Sequence, residues 1–425
     1  MSTEPDVNGQ TKSYLAAVAE YLALRRDLSV LLAVILFLGI GGEMWERFLP
    51  KYLEVLGAGA LVIGLFGTLT DLLDAVYQIP GGMITDRLGT RRALVLFNVL
   101  SAVGLIVYLL APSWPVVFAA TLLVYAWSSL SLPATFSIIG DSLPTNKRGM
   151  GFAVQSIIRR VPRLIGPPLG GLAIAWLGVK AGVQVGLAVS VVLALAAIVF
   201  QRKYYTKKDE PAPPPAGPKP GAMTIARQMH PGLKRLLWAD VLARFAEGIP
   251  KPFIVLYVLN ELHASSTQFG VLTALSMAVS IAVYIPIARL ADRSANRSPY
   301  IALTFLFFAL TPLALILSHN QWLLALAFVV MGLREIAEPT RKATIVDLSN
   351  PERRATDVGV YYAIRQFAVV PCGVIGGLLW RVSPQLPFWV AFGVGVLGAT
   401  MYWLMTRRGP DTMKPPSVAG EARPG

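Results

Sequence analysis

Four ionisable side chains follow a long uncharged segment near the N-terminus. Residues 29–40 read SVLLAVILFLGI, and Glu43, Glu46, Arg47 and Lys51 come soon after them. An ionisable group at bilayer depth costs at least ~2.5 kcal/mol, so it normally faces a cavity and has a partner. Glu43, Arg47 and Lys51 are spaced four residues apart and form one stripe of a helix, along which Glu43 and Arg47 can pair, whereas Glu46 points off that stripe. Acids held among bases and low-dielectric walls can exchange protons, so this spacing predicts ion pairing and reversible protonation.

Further charged residues interrupt other apolar segments. Asp240, Arg244 and Glu247 share a helix face, as do Arg334, Glu338 and Arg341. For Glu46, Glu247, Arg334 and Glu338 the alternative is an inert ion pair between helices. We predict that the proton-coupling and cavity residues are Glu43, Glu46, Arg47, Arg159, Arg244, Glu247, Arg334, Glu335, Glu338 and Arg365.

The composition is that of a membrane protein with many spans. Of 425 residues, 55% are hydrophobic and 15% are charged, and the mean hydropathy is +0.58. Runs of ~20 apolar residues, the length that crosses a bilayer, recur along the chain. The net charge of +14 lies in short loops between these runs, so we expect contact with a lipid bilayer and not with nucleic acid.

The sequence favours neither an enzyme nor a metal or cofactor site. No pair among His230, His263 and His319 has ligand spacing, and no phosphate-binding loop of the G-x-x-x-x-G-K-[ST] type occurs. The single cysteine, Cys372, permits no intrachain disulfide. No nucleophile–base arrangement is convincing. We therefore expect a monomer without cofactors whose partners are the bilayer, a small-molecule substrate and a proton.

The pattern of apolar runs predicts an all-α integral membrane protein. Twelve transmembrane helices are expected, in two pseudo-symmetric six-helix bundles. A basic, proline-rich segment separates the two sets and predicts a solvated connector. The predicted units are an N-terminal tail (1–27), a first bundle (28–201), a linker (202–233), a second bundle (234–406) and a C-terminal tail (407–425).

Loop charges predict the orientation in the membrane. The second apolar run is followed by Arg87, Arg91 and Arg92, and the sixth is followed by Arg202 and Lys203. The loop APSWP after the third run has no charge. By the positive-inside rule, both termini and the linker are expected on the cytoplasmic side.

The two halves also repeat each other. IPGGMITDR at 79–87 matches IPIARLADR at 285–293, and Gly170-Gly171 matches Gly376-Gly377 at the same separation. Two six-helix units related by duplication, with a site at their interface, are typical of secondary transporters.

The loop GGMITDRLGTRR (81–92) carries a complete motif, G-x-x-x-D-R-x-G-x-R-R, which resembles the signature loop of the major facilitator superfamily. The residues are Gly82, Asp86, Arg87, Gly89, Arg91 and Arg92, and a partial copy in the second half keeps Asp292 and Arg293. The resemblance covers roughly residues 28–405 and implies the major facilitator fold. It also implies a role for these residues in a cytoplasmic gate.

Three further motifs bear on the function within that superfamily. IGPPLGG (165–171) is similar to the antiporter-associated motif through Gly166, Pro167, Gly170 and Gly171, although Pro162 replaces its leading glycine. EMWERF (43–48) matches the E-x-x-E-R-F pattern of proton-coupled peptide transporters. The usual arginine motif of the fourth span is missing from YAWSSLSLP (125–133).

These resemblances imply proton-coupled export of small amphipathic molecules from a bacterial cell, across its inner membrane. Uptake or exchange of a small anionic solute or peptide is the alternative, because several arginines lie within apolar segments. A membrane receptor without transport is a third interpretation, which the short tails disfavour.

Overall fold

The computed structural model describes residues 26–131, 134–135, 138, 155–205, 222–294, 297–350 and 354–408, and within these ranges it is helical without a strand. The α-helices are α1 (Arg26–Trp45), α2 (Leu49–Val55), α3 (Ala60–Val76), α4 (Gln78–Leu88), α5 (Thr90–Leu110), α6 (Trp114–Tyr125), α7 (Val161–Tyr204), α8 (Ala222–Gln228), α9 (Pro231–Gly248), α10 (Ile254–Leu256), α11 (Ser266–Arg293), α12 (Ser298–Ile316), α13 (Gln321–Leu333), α14 (Glu338–Asp347), α15 (Arg354–Val369), α16 (Cys372–Val382) and α17 (Leu386–Arg408).

The predicted all-α membrane architecture is confirmed, while the count of twelve spans stays a prediction. Within the described residues, seven helices are long and apolar enough to cross a membrane, and α3 with α4, bent by 42°, makes an eighth. Several of the remaining predicted spans are divided into shorter helices by breaks, such as the turn between α13 and α14. The range of α7 contains two of the predicted spans, which meet at Gly178, where a φ of +81° and a ψ of 167° break the helix and turn the chain.

Short non-α turns interrupt the helices that carry the charged stripes. A 3-10 turn at Glu46–Phe48 separates α1 from α2, and another at Lys251–Phe253 separates α9 from α10. Pro50 and Pro252 lie at these breaks, where proline disfavours a continuous helix. The turn at Glu46–Phe48 ends the single stripe predicted for Glu43, Arg47 and Lys51.

The predicted unit boundaries differ from the observed helix ends by a few residues. Helix α1 begins at Arg26, and α7 continues to Tyr204. Within the linker predicted at 202–233, α8 occupies Ala222–Gln228 and α9 begins at Pro231, and the division into units stays a prediction. Ile225 and Met229, spaced four residues apart, are buried against α9 and α15. Residues 206–221, the predicted tail 1–25 and residues 409–425 lie outside the described residues.

Close helix packing joins the N-terminal half (26–205) to the C-terminal half (222–408). A Cβ atom at Gly64 would lie 2.4 Å from the carbonyl oxygen of Gly373, and one at Gly270 would lie 2.3 Å from that of Pro167. These contacts lie toward one end of the molecule, which carries loops without Lys, Arg, Asp or Glu such as 111–113 and 262–265. We call it the uncharged-loop end, and the opposite end, which carries Arg87 to Arg92, the basic-loop end.

Candidate functional site

A cavity of about 560 Å³ lies between the two halves. Its charged lining residues are Glu43, Glu46, Arg47, Asp71, Asp74, Arg163, Glu247, Lys251, Arg334 and Glu335. Apolar and aromatic side chains complete the wall, among them Phe66, Phe269 and Phe328. A concave, mostly preformed site with a few polar groups among apolar ones is the form that small-molecule sites take.

One group of charged residues in this wall, which we call the cavity cluster, consists of Glu43, Glu46, Arg47 and Arg163. Glu43 is 8% exposed and accepts hydrogen bonds from the Nε atoms of Arg47 and Arg163, each at 3.1 Å. The two arginine side chains are 42% and 45% exposed. One carboxylate therefore holds two cations that face the cavity.

Glu46 differs from Glu43 in having no fixed partner. Its side chain is exposed to the cavity and makes no hydrogen bond or ion pair with any residue that the structure describes. Charged neighbours include Arg47, Arg163 and Asp74. Glu46 is the first residue of the 3-10 turn that follows α1.

Two further acids, Asp71 and Asp74, line the wall from α3. Asp71 accepts a hydrogen bond from Lys251 of the opposite half at 3.0 Å. Asp74 accepts one from Ser129, which lies in the π-helical turn Ala126–Leu130 after α6. The charges of both aspartates were visible in the sequence, but their partners depend on contacts between distant segments.

Glu247 connects the wall to the interior of the C-terminal half. Its carboxylate is 2.7 Å from Nη1 of Arg244 and 3.4 Å from Nη1 of Arg334. Both guanidinium groups lie over the ring of Phe308, at 5.1 Å and 5.5 Å from its centroid. Glu247 and Arg334 line the cavity, whereas Arg244 is not among its lining residues.

A second group, the buried cluster, consists of Asp240, Glu338, Arg341, Tyr361 and Arg365. Asp240 and Arg341 are each 0% exposed and are hydrogen-bonded to each other. Tyr361 donates to Asp240 at 3.0 Å, Arg365 lies 3.4 Å from it, and Arg341 also bonds Glu338. Glu338 and Arg365 do not line the cavity, which differs from the prediction, because their partners draw them into the helix packing.

The remaining cavity candidates, Arg159 and Glu335, take different positions. Arg159 lies in a turn before α7, with its Nε atom buried and without a hydrogen bond among the described residues. Glu335 lines the cavity and accepts a hydrogen bond from Arg160 of the opposite half.

The residues of the predicted gate motif lie at the basic-loop end. Gly89 adopts φ +82° between α4 and α5, a conformation that favours glycine. Arg91 pairs with Asp27 at 2.8 Å, which ties α5 to the start of α1. Asp86, Arg87, Arg92 and Arg293 are exposed, Gly82 has open space around it, and the side chain of Asp292 lies outside the described residues. The gate role stays a prediction.

The antiporter-type motif forms a tight contact between helices. A Cβ atom at Gly166 would lie 2.6 Å from Cβ of Glu43, and one at Gly170 would lie 1.8 Å from the carbonyl oxygen of Met44. Gly171 faces Ser266 of the opposite half. This motif therefore sets the position of Glu43, although its link to antiport is not tested by the packing.

Comparison with known proteins places the chain among membrane transporters. The sequence profile of the Major Facilitator Superfamily matches residues 31–242 and 236–424. Similar proteins include an MFS-type transporter of Methanocaldococcus jannaschii, 23% identical over 358 residues, covering 82% of this chain and 87% of that protein. The multidrug resistance protein MdtH of Yersinia pestis is 23% identical over 379 residues, covering 84% and 89%.

Solved structures of transporters share the fold. A POT family transporter in complex with 5-aminolevulinic acid has a TM-score of 0.74 at 14% identity, covering 92% of this chain and 97% of that one. A mutant of the nucleoside transporter NupG has a TM-score of 0.73 at 14% identity, covering 90% and 99%. With the profile spanning nearly the whole sequence, this chain is a membrane transporter that belongs to the major facilitator superfamily.

Proposed function

We propose that this protein exports small amphipathic molecules in exchange for protons, by alternating access of the central cavity. We further propose that it works as a monomer in a bacterial inner membrane with both termini in the cytoplasm. The likeness to MdtH supports export of drug-like compounds. The mixed lining of the cavity, with aromatic rings beside charged groups, suits molecules that have both apolar and polar parts.

The observation that carries this proposal is the unpartnered carboxylate of Glu46. A coupling group must gain and lose a proton in each cycle, so a carboxylate without a fixed counter-charge suits this role better than Glu43, which two arginines hold. Glu46 is exposed to the cavity and has no such pairing among the described residues. In the proposed cycle, Glu46 takes a proton from the outside and releases it inside, while the halves move about the cavity.

The test compares Glu46→Gln with wild type in everted membrane vesicles under an imposed pH gradient, with a fluorescent lipophilic cation as the transported probe. We expect gradient-driven accumulation to be lost while binding of the probe is retained, because glutamine keeps the shape but cannot ionise. Glu261→Gln, which changes an exposed acid outside the cavity, serves as the matched control. Undiminished accumulation with Glu46→Gln rules out Glu46 as the coupling group.

A second candidate function is uptake or exchange of a small anionic solute, and the geometry of Arg47 and Arg163 favours it. Each arginine uses its Nε atom on Glu43, and the terminal nitrogens make no hydrogen bond with the described residues. Guanidinium groups bind carboxylates and phosphates bidentately through such edges. Two of them facing one cavity form a suitable subsite for an anion.

Proteoliposomes separate the two candidates. 5-Aminolevulinic acid, the ligand of one structural neighbour, is offered to wild type, Arg163→Gln and Arg381→Gln, the last changing an exposed arginine outside the cavity. Binding of the probe's carboxylate by Arg47 and Arg163 predicts saturable uptake that Arg163→Gln weakens at least tenfold and Arg381→Gln leaves unchanged. Absence of saturable uptake, together with accumulation of the lipophilic cation in vesicles, excludes this substrate and supports export.

A further inference from the structure

Arg160 belongs to the N-terminal half, but its side chain is bound by the C-terminal half. It lies in the turn immediately before α7. Its Nη1 atom donates to Oγ of Ser280 at 2.8 Å, and its Nη2 atom donates to Oε2 of Glu335 at 3.1 Å. Its guanidinium carbon lies 4.4 Å from the centroid of the Tyr284 ring. These three contacts come from α11 and from the turn after α13.

The contacts form a specific binding site for a guanidinium group. The side chain of Arg160 is 16% exposed, and Ser280 is buried. Two terminal nitrogens engage two different acceptors while the plane of the group lies near an aromatic ring, an arrangement that a lysine ammonium cannot reproduce. Because the Arg160–Glu335 pair is partly buried, dissolved salt screens its attraction less than that of a surface pair.

Arg160 lies away from the polar contacts that join the halves near the uncharged-loop end. Lys51 bonds Asn260 at 2.6 Å, close to the uncharged-loop end where the glycine contacts lie. Arg160, by contrast, lies immediately before the first residue of α7, 18 residues from Gly178 and away from that end. If the halves rotate about the glycine contacts, Arg160 therefore separates from Ser280, Tyr284 and Glu335 while the glycines stay in contact.

We propose that Arg160 is a latch that holds the two cavity walls together through Glu335, and that it must release for the basic-loop end to open fully. It is a positioning residue, since it acts through Glu335, which lines the cavity. This inference rests on the proposed function only in assuming that the halves move during a transport cycle. It assigns no coupling ion, substrate or direction.

The test measures the separation of the halves directly. Spin labels are attached at Leu88→Cys and Leu290→Cys, two exposed positions near the basic-loop end, in a Cys372→Ala background. We expect Arg160→Gln to shift the distance distribution to longer values, by about 5 Å, the rise of one helical turn. Glu335→Gln is expected to give the same shift, and the double variant no more than either, because both remove one interaction.

Two controls keep the result interpretable. Arg160→Lys keeps the charge and is expected to restore part of the short-distance population, which simple misfolding would not do. Arg381→Gln removes an exposed arginine outside the cavity, and it is expected to leave the distribution unchanged. Unchanged distances in monodisperse Arg160→Gln and Glu335→Gln proteins would overturn the latch. Because no gradient or cargo is present, that outcome leaves proton-coupled export untouched.

Discussion

The cavity cluster around Glu43 and the buried cluster around Asp240 are built from the same kinds of residues but in opposite environments. In each, one carboxylate is bound by more than one arginine. The arginines of the cavity cluster are nearly half exposed, whereas Arg341 in the buried cluster is 0% exposed. When the carboxylate is removed, a buried arginine is left with an unsolvated charge, whereas an arginine that faces the cavity stays solvated by water. The difference indicates a cavity cluster that can exchange partners and a buried cluster that holds helices α9, α14 and α15 together.

The largest effect on the stability of the fold is expected from Asp240→Asn. This change leaves the guanidinium of Arg341 buried without its closest counter-charge and is expected to destabilise the fold by about 3–5 kcal/mol. Thermal unfolding of the purified protein in detergent, followed by size-exclusion chromatography, measures it. Glu43→Gln is the matched variant in the other cluster. An equal loss of stability in Asp240→Asn and Glu43→Gln would contradict the distinction between the two clusters.

An intermediate effect is expected from Glu338→Gln. Glu338 shares Arg341 with Asp240 but also lies near the half-exposed Lys342, at 3.4 Å. Arg341 keeps Asp240 in this variant, so the expected loss is that of one charged hydrogen bond, about 1.5–3 kcal/mol. The same unfolding assay measures it. A loss as large as that of Asp240→Asn would show that Glu338 is the essential partner of Arg341.

The smallest effect on stability is expected from Glu43→Gln. Arg47 and Arg163 lose a counter-charge but remain accessible to water in the cavity, so the cost is expected below about 1 kcal/mol. Transport is nevertheless expected to fall, because the two arginines lose the group that fixes their orientation. Unfolding and vesicle accumulation, measured on one preparation, separate these effects. Normal accumulation would show that the pairing of Glu43 has no part in transport.

The sequence identified both clusters as charges within apolar segments, yet it did not distinguish them. Asp240, Arg244 and Glu247 form a helical stripe as regular as that of Glu43 and Arg47. Which stripe faces the cavity depends on contacts between distant helices, such as that of Tyr361 with Asp240. Local spacing carries no information on such contacts.

Other features of the fold correspond to proline and glycine residues that are visible in the sequence. Pro50 and Pro252 mark the two 3-10 turns that break the charged helices, and Glu46 is the first residue of the first turn. Gly166, Gly170 and Gly171 form a close helix contact, because small residues let backbones approach. The binding of Arg160 by the opposite half had no such signal.

The glycine contacts between the halves have a mechanical consequence. Gly64 and Gly373 bring two backbones together without side chains between them, so the contact can act as a fulcrum near the uncharged-loop end. A helix of about twenty residues is about 30 Å long. Rotation of one half by about 10° about this fulcrum therefore displaces the far end by about 5 Å. Because displacement grows with distance from the fulcrum, a small tilt at the glycines produces a large aperture at the basic-loop end.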